Sequence, residues 1–190
     1  MMSVLALVTG LLALGVQQVK AAVLQPRADG SSFMLYAYGT DLSTSGLRVF
    51  IADGLAYAGS VAPISATDIT NITLSTGDTT DGSWLVTPDS DSDVDWAEDT
   101  TYWAIGTSSD SLQSVGLANT TGTTTEGMGL YGAWAYHLGD SGDIEMSYRA
   151  TPTTQDDLYL IQWDPSATSD DDSLLVSLKT NAPVPITDKN

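Results

Sequence analysis

Residues 130–150 read Leu130-Tyr131-Gly132-Ala133-Trp134-Ala135-Tyr136-His137-Leu138-Gly139-Asp140-Ser141-Gly142-Asp143-Ile144-Glu145-Met146-Ser147-Tyr148-Arg149-Ala150, and this stretch decides the fold class. Gly139 to Gly142 is a run of turn formers between two apolar, aromatic segments, which is the pattern of a tight hairpin. In the second arm Ile144, Met146 and Tyr148 alternate with Glu145, Ser147 and Arg149. A period of two belongs to a strand, here expected to bury the first set and wet the second. On that reading Glu145 and Arg149 are partners on the wet face.

Working outward, the same punctuation recurs. Leu158–Trp163 follows as a strand, and after a Pro- and Asp-rich loop Ser173–Lys179 places Leu174, Val176 and Leu178 inward. Upstream, Phe33–Tyr38, Leu47–Ala52, Leu55–Ala58, Ile69–Leu74, Ser83–Thr87, Tyr102–Gly106 and Leu112–Ala118 read as short strands bounded by Gly, Asp, Ser or Thr. Asp53-Gly54 between two of them predicts a type I′ hairpin. No stretch sustains a 3.6-residue period, so little helix is expected, and a parallel sheet would need crossover helices. The expectation is all-β: a single-domain antiparallel β-sandwich of about ten short strands over residues 28–190.

The first 21 residues read as a secretory signal peptide. Val4 to Val16 is apolar except for Thr9, too short for the roughly 20 residues of a membrane span. Val19-Lys20-Ala21 supplies small residues for cleavage, although Met1-Met2-Ser3 lacks a side-chain positive charge. The alternative is a buried core helix. Residues 22–27 end in Pro26-Arg27, either a short pro-segment cut after Arg27 or a plain linker. The sequons Asn71-Ile72-Thr73 and Asn119-Thr120-Thr121 are the candidate glycosylation sites and agree with an extracellular, secreted protein. No second apolar run follows, so no membrane insertion is expected.

The 190 residues carry 24 acidic and 6 basic side chains, a net charge of −18. Without Lys20 and Arg27 the balance is 4 basic against 24 acidic, or −20. Such a field repels phosphate backbones, and nucleic acid is excluded as a partner. Hydrophobic residues make up 42% of the chain and charged ones 16%, a balance that supports a folded core. Cysteine is absent, which removes disulfides, thiol catalysis and thiolate metal sites together.

Three stretches carry a likeness to known proteins: Phe33-Met34-Leu35-Tyr36-Ala37-Tyr38-Gly39, Val49-Phe50-Ile51-Ala52-Asp53-Gly54-Leu55-Ala56-Tyr57, and Gly132 to Trp163. Within the last, the most telling parts are Gly132-Ala133-Trp134, Ile144-Glu145, Ala150-Thr151-Pro152-Thr153 and Leu158-Tyr159-Leu160-Ile161-Gln162-Trp163. Together they resemble a family of small secreted proteins of filamentous ascomycete fungi to which no activity is assigned. The resemblance spans most of the chain beyond the signal, contains no chemical motif, and implies a fungal, extracellular setting.

The residues that carry chemistry are few. Asp89, Asp91, Asp93 and Asp95 alternate as a hard-cation loop would, but the sixth residue is Val94 and the twelfth Thr100, against the glycine and glutamate of an EF-hand. Asp170, Asp171 and Asp172 lack ligand spacing, so both runs read as solvated loops and no metal or cofactor is expected. Glu98, Glu126, Glu145 and Asp143 are the carboxylates a glycoside hydrolase would draw on. His137 is the only histidine and no Gly-x-Ser-x-Gly elbow accompanies it, which argues against a triad. Trp134, Tyr136, Tyr159 and Trp163 fall at strand spacings that put each pair on one face. They form either part of the core or a platform for sugar rings.

These readings favour a non-enzymatic extracellular binding protein using Trp134, Tyr136, Tyr159 and Trp163, with carbohydrate, cell wall or a host surface as partner. The alternatives are a polysaccharide-active glycoside hydrolase with paired carboxylates and a structural coat protein. Expression of the full chain in a secreting fungal host tests the N-terminal reading. Mass spectrometry of protein from the medium should find a first residue of Ala22, or Ala28 if Arg27 is a cleavage site. Retention in the cytosol with Met1 intact would overturn it.

Overall fold

The computed structural model describes residues 31–42, 46–76, 80–94, 96, 101–108, 112–118, 123–166 and 172–184. The signal segment, the pro-segment, Asn119, Asp95, Glu98, Asp170 and Asp171 lie outside these. Among the described residues there is no helix, and sixteen strands follow one another. They are β1 (Ser32–Phe33), β2 (Tyr36–Tyr38), β3 (Leu47–Ala52), β4 (Leu55–Gly59), β5 (Ile69–Thr76), β6 (Trp84–Pro88), β7 (Trp103–Gly106) and β8 (Gln113–Leu117). Then come β9 (Thr123–Thr124), β10 (Met128–Tyr131), β11 (Trp134–Leu138), β12 (Ile144–Glu145), β13 (Tyr148–Pro152), β14 (Leu158–Trp163), β15 (Leu174–Leu175) and β16 (Ser177–Lys179).

The protein is all-β and antiparallel, as its alternation and lack of helical period require. Hydrogen bonds join the strands into one branched sheet. The main path runs β10-β11-β16-β2-β3-β4-β14-β8-β7-β9. β3 is the branch point: β4 pairs along one edge, while β2 and then β5 share the other. One arm continues through β16 and β11 to β10, the other through β5 to β1 and β6. The main hydrophobic core draws on both arms and on β14, with Leu35, Ile51, Leu74, Trp84, Trp103, Tyr148, Trp163 and Leu178 essentially sealed from solvent, and Phe50, Ala52 and Leu158 form a second, smaller buried cluster.

The Asp53-Gly54 hairpin forms as expected. Both residues have positive φ (47° and 82°), as a type I′ turn demands, and Ala52 pairs with Leu55 across it. The Asp53 carboxylate then accepts hydrogen bonds from the Thr67 N–H, the Thr67 hydroxyl and the Asp68 N–H, each at 3.0 Å. The backbone donors of Asp68 and Thr67 hold its carboxyl below the usual carboxylate range. This ties the loop before β5 to the hairpin.

The decisive stretch 130–150 differs from its expected form at two places. Leu130–Leu138 is not one strand: the chain reverses at Gly132-Ala133, so that Tyr131 pairs with Trp134 and β10 and β11 form a hairpin. Gly132 has φ +62°, the positive φ that a two-residue loop needs at its first position. The second arm is broken at Met146-Ser147. β12 pairs with β11 through His137↔Glu145 and Leu138↔Ile144, while β13 pairs with β14 and β15. The chain thus leaves one part of the sheet for another in mid-strand, and the single in–out alternation does not carry through. Ile144 is exposed (41%), Tyr148 is buried, and Arg149 is buried rather than wet.

Arg149 does not meet Glu145. Its Nη2 lies 3.2 Å from Oδ2 of Asp164, the first residue beyond β14, and both side chains are almost wholly buried. The other oxygen of Asp164 accepts the Ser166 hydroxyl (2.8 Å) and N–H (3.2 Å). A buried pair of this kind contributes little net stability over an apolar pair, but removing one partner strands a charge in the core. Asp164→Ala should therefore cost about 3–5 kcal/mol in urea unfolding, whereas the double variant Arg149→Met with Asp164→Leu should recover most of that loss. Equal losses in the single and double variants would refute this account.

Candidate functional site

β11 alternates cleanly. Ala135 is buried, and His137 packs its ring edge against Trp163, with centroids 5.6 Å apart at 79°. Trp134, Tyr136 and Leu138 point the other way. The neighbouring strands sort themselves similarly: Ala37, Leu47, Leu178 and Ala135 enter the core, and they are small or aliphatic. Tyr36, Tyr38, Tyr131, Trp134 and Tyr136 stand on the side away from that core, whereas Phe50 of β3 is buried and stacks on Tyr57. For those five the placement is the reverse of the usual distribution, in which aromatics fill the interior.

Register then aligns them. Tyr131 lies opposite Trp134, Trp134 opposite Lys179, Lys179 opposite Tyr36 and Tyr36 opposite Arg48. Directly opposed residues share a face, so Tyr131, Trp134, Lys179, Tyr36 and Arg48 form one cross-strand row over five strands. At about 4.8 Å per strand the row spans about 19 Å. Tyr131 and Trp134 are 55% and 40% exposed, and the other three are half-buried. Beside the row, Tyr38 pairs with Ser177, and Tyr136 lies across Gly129, where a β-carbon would collide with the phenol. Gly129 thus lets the Tyr136 ring lie down on the sheet.

The cation within the row is held by rings. The Lys179 ammonium sits 3.9 Å from the Trp134 ring centroid and 4.8 Å from that of Tyr38. Such contacts at exposed sites are worth about 0.5–1 kcal/mol each. The Tyr38 hydroxyl donates to the Asn181 carbonyl at 2.8 Å, which fixes its ring. Among the described residues, no carboxylate lies within ion-pair distance of Lys179 or Arg48. Since Arg149 is neutralised by Asp164, the row contains both remaining positive side chains of the described residues.

Of the four aromatic residues singled out from the sequence, the structure puts only Trp134 and Tyr136 on this face. Tyr159 and Trp163 share a face as their spacing implied, but it is the core face: they are 8% and 2% exposed, and Trp163 packs edge-on against Tyr148 at 4.9 Å. Neither is available to a surface ligand. Tyr36, Tyr38, Tyr131, Arg48 and Lys179 were missed. The Tyr36-Ala37-Tyr38 alternation hinted at two of them, but nothing local marks Lys179 or Arg48 as neighbours of aromatic rings.

The remaining candidates are scattered. His137 Nδ1 lies 3.3 Å from Oε2 of Glu145 at the rim of the core, so Glu145 partners the histidine. Asp143 accepts the Ser141 hydroxyl within the hairpin loop, and Glu126 is exposed in the loop before β10. Burial pushes the Tyr148 phenol up, the Trp103 indole offsetting part of the effect, so it stays neutral. Asp89 shapes its own turn, its N–H bonding the Asn71 carbonyl and its carbonyl accepting from Ser92. Asp91 and Asp93 are exposed, as is Asp172, and among the described residues no three His, Asp or Glu side chains converge. Asn71 is exposed on β5, opposite Phe50.

Comparison with protein-family models, with curated proteins and with solved structures found no match to this chain.

Proposed function

We propose that this is a secreted, non-enzymatic binding protein that holds a polysaccharide on the outer face of the β10-β11-β16-β2-β3 arm. The observation that carries the reading is the row Tyr131–Trp134–Lys179–Tyr36–Arg48, with Tyr131 and Trp134 exposed and the other three half-buried, while Ala37, Leu47, Ala135 and Leu178 of the same strands face the core. Exposed aromatic residues that the core does not need are costly to keep on a surface unless something covers them. Flat rings on a sheet suit the C–H faces of sugars, and the polar rims of Tyr and Trp supply hydrogen bonds at the edges. The resemblance to secreted fungal proteins, the N-terminal apolar run and the exposed sequon at Asn71 support an extracellular setting, at a cell wall or a host surface.

Glu145 partners His137 at 3.3 Å, which gives it a role in holding β12 against β11 that needs no paired-carboxylate catalysis. A coat protein with no small ligand would not require the row's combination of rings and cations.

Trp134→Ala is the test. Aromatic stacking anchors are typically worth about 1–3 kcal/mol, so the variant should lose about 10- to 100-fold in affinity for a retained polysaccharide. Because Trp134 lies outside the core, its melting temperature should stay within a few degrees of the parent. Affinity electrophoresis in gels cast with wall polysaccharides, alongside a thermal melt, reads both. Undiminished retention of Trp134→Ala would remove the row from the binding site.

A further inference from the structure

We infer that the ligand of this face is an acidic glycan, one whose sugar rings carry carboxylates, rather than a neutral one. The inference rests on the binding reading above and deepens it. The face is not simply aromatic: after Tyr131 and Trp134 its row continues Lys179, Tyr36, Arg48, so that two cations flank the Tyr36 ring. One face of the Trp134 ring is already covered by the Lys179 ammonium, 3.9 Å from the ring centroid. A neutral pyranose stacking there would have to displace that ammonium and lose its contacts with two rings. A carboxylate needs no displacement, because it can add to the ammonium on the side away from the rings.

The state of the two cations points the same way. A lysine has three donors and an arginine five, and surface carboxylates usually find them. This chain carries 24 acidic residues, yet none of the described ones lies within ion-pair distance of Lys179 or Arg48. Nε of Arg48 is buried without a hydrogen-bond partner, so its guanidinium depends on its terminal nitrogens for compensation. The two sit two strands apart in the row with Tyr36 between them, about 9.6 Å by strand spacing. They can therefore meet two carboxylates of one chain while the intervening ring takes a sugar face. The chain's net charge of −18 opposes a polyanion over the rest of its surface, so binding depends on the short-range contacts its carboxylates make with these two cations.

The experiment titrates the full-chain protein by calorimetry with polygalacturonate and with the same polymer after reduction of its carboxyls to alcohols. The expected result is binding of polygalacturonate that weakens by about tenfold on carboxyl reduction, each lost charge-assisted contact being worth roughly 1.5 kcal/mol or more. Binding should also weaken as salt rises, as exposed charge pairs do. Lys179→Gln and Arg48→Gln should each weaken binding of the acidic polymer about as much. Lys179→Arg should retain most of the affinity, and a thermal melt checks that each variant is folded. Equal affinity for the acidic and reduced polymers would overturn the inference and leave the polysaccharide-binding reading standing. Binding of neither polymer, nor of any neutral glucan or chitin, would overturn both. The polymer comparison uses the unaltered protein, so it decides even where a variant fails to fold.

Discussion

Burial of one face of Leu158–Trp163 is the constraint on which the rest of the structure depends. Tyr159, Ile161 and Trp163 lie inward on β14, each worth roughly 1.5–3 kcal/mol when fully buried. The same six residues hydrogen-bond to β13, β4 and β8, so that one strand joins the N-terminal hairpin, the middle of the chain and the C-terminal third. With no cysteine, no crosslink limits the unfolded chain, and cohesion rests on this core and these ladders. Trp163 is the central piece: Tyr148 meets one edge and His137 another, which brings β13 and β11 to the same point.

That packing explains the character of the outer arm. Trp163, Tyr148 and Trp103 are bulky, and the strands laid over the core meet it with Ala37, Ala135, Leu47 and Leu178. Tyr36, Tyr38, Tyr131, Trp134 and Tyr136 of β2, β10 and β11 are left to the other side. Exposed aromatic patches are a cost on a protein surface and are tolerated where something covers them. Lys179 and Arg48, which meet no carboxylate among the described residues, lie among these rings in a chain dominated by Asp and set the face apart electrostatically.

The loop carboxylates follow a different logic. Asp53 ends a hairpin and gathers three donors, and Asp164 neutralises a buried arginine; both are architectural. Glu145 is turned toward His137 because β12 pairs with β11 in the register His137↔Glu145. Counting acids along the chain therefore overstates the chemistry available, since several of them are consumed in holding the fold.

The sequence by itself determined what depends on near neighbours. Alternation with period two announced strands, the absence of a helical period announced an antiparallel sheet, and Asp53-Gly54 named its own turn, because φ, ψ and turn type are set within a few residues. It also determined that Tyr159 and Trp163 share a face, and that Trp134 and Tyr136 do. Which of those faces looks inward was decided only by tertiary structure, since alternation is symmetric until a partner layer breaks the tie. The break at Met146-Ser147 was invisible for the same reason: the residues on either side alternate in unbroken step, and only their different partners separate them. The row itself is the furthest from local reading. Arg48, Tyr36, Lys179, Trp134 and Tyr131 come together from the two ends and the middle of the chain, and their alignment exists only in the register between strands.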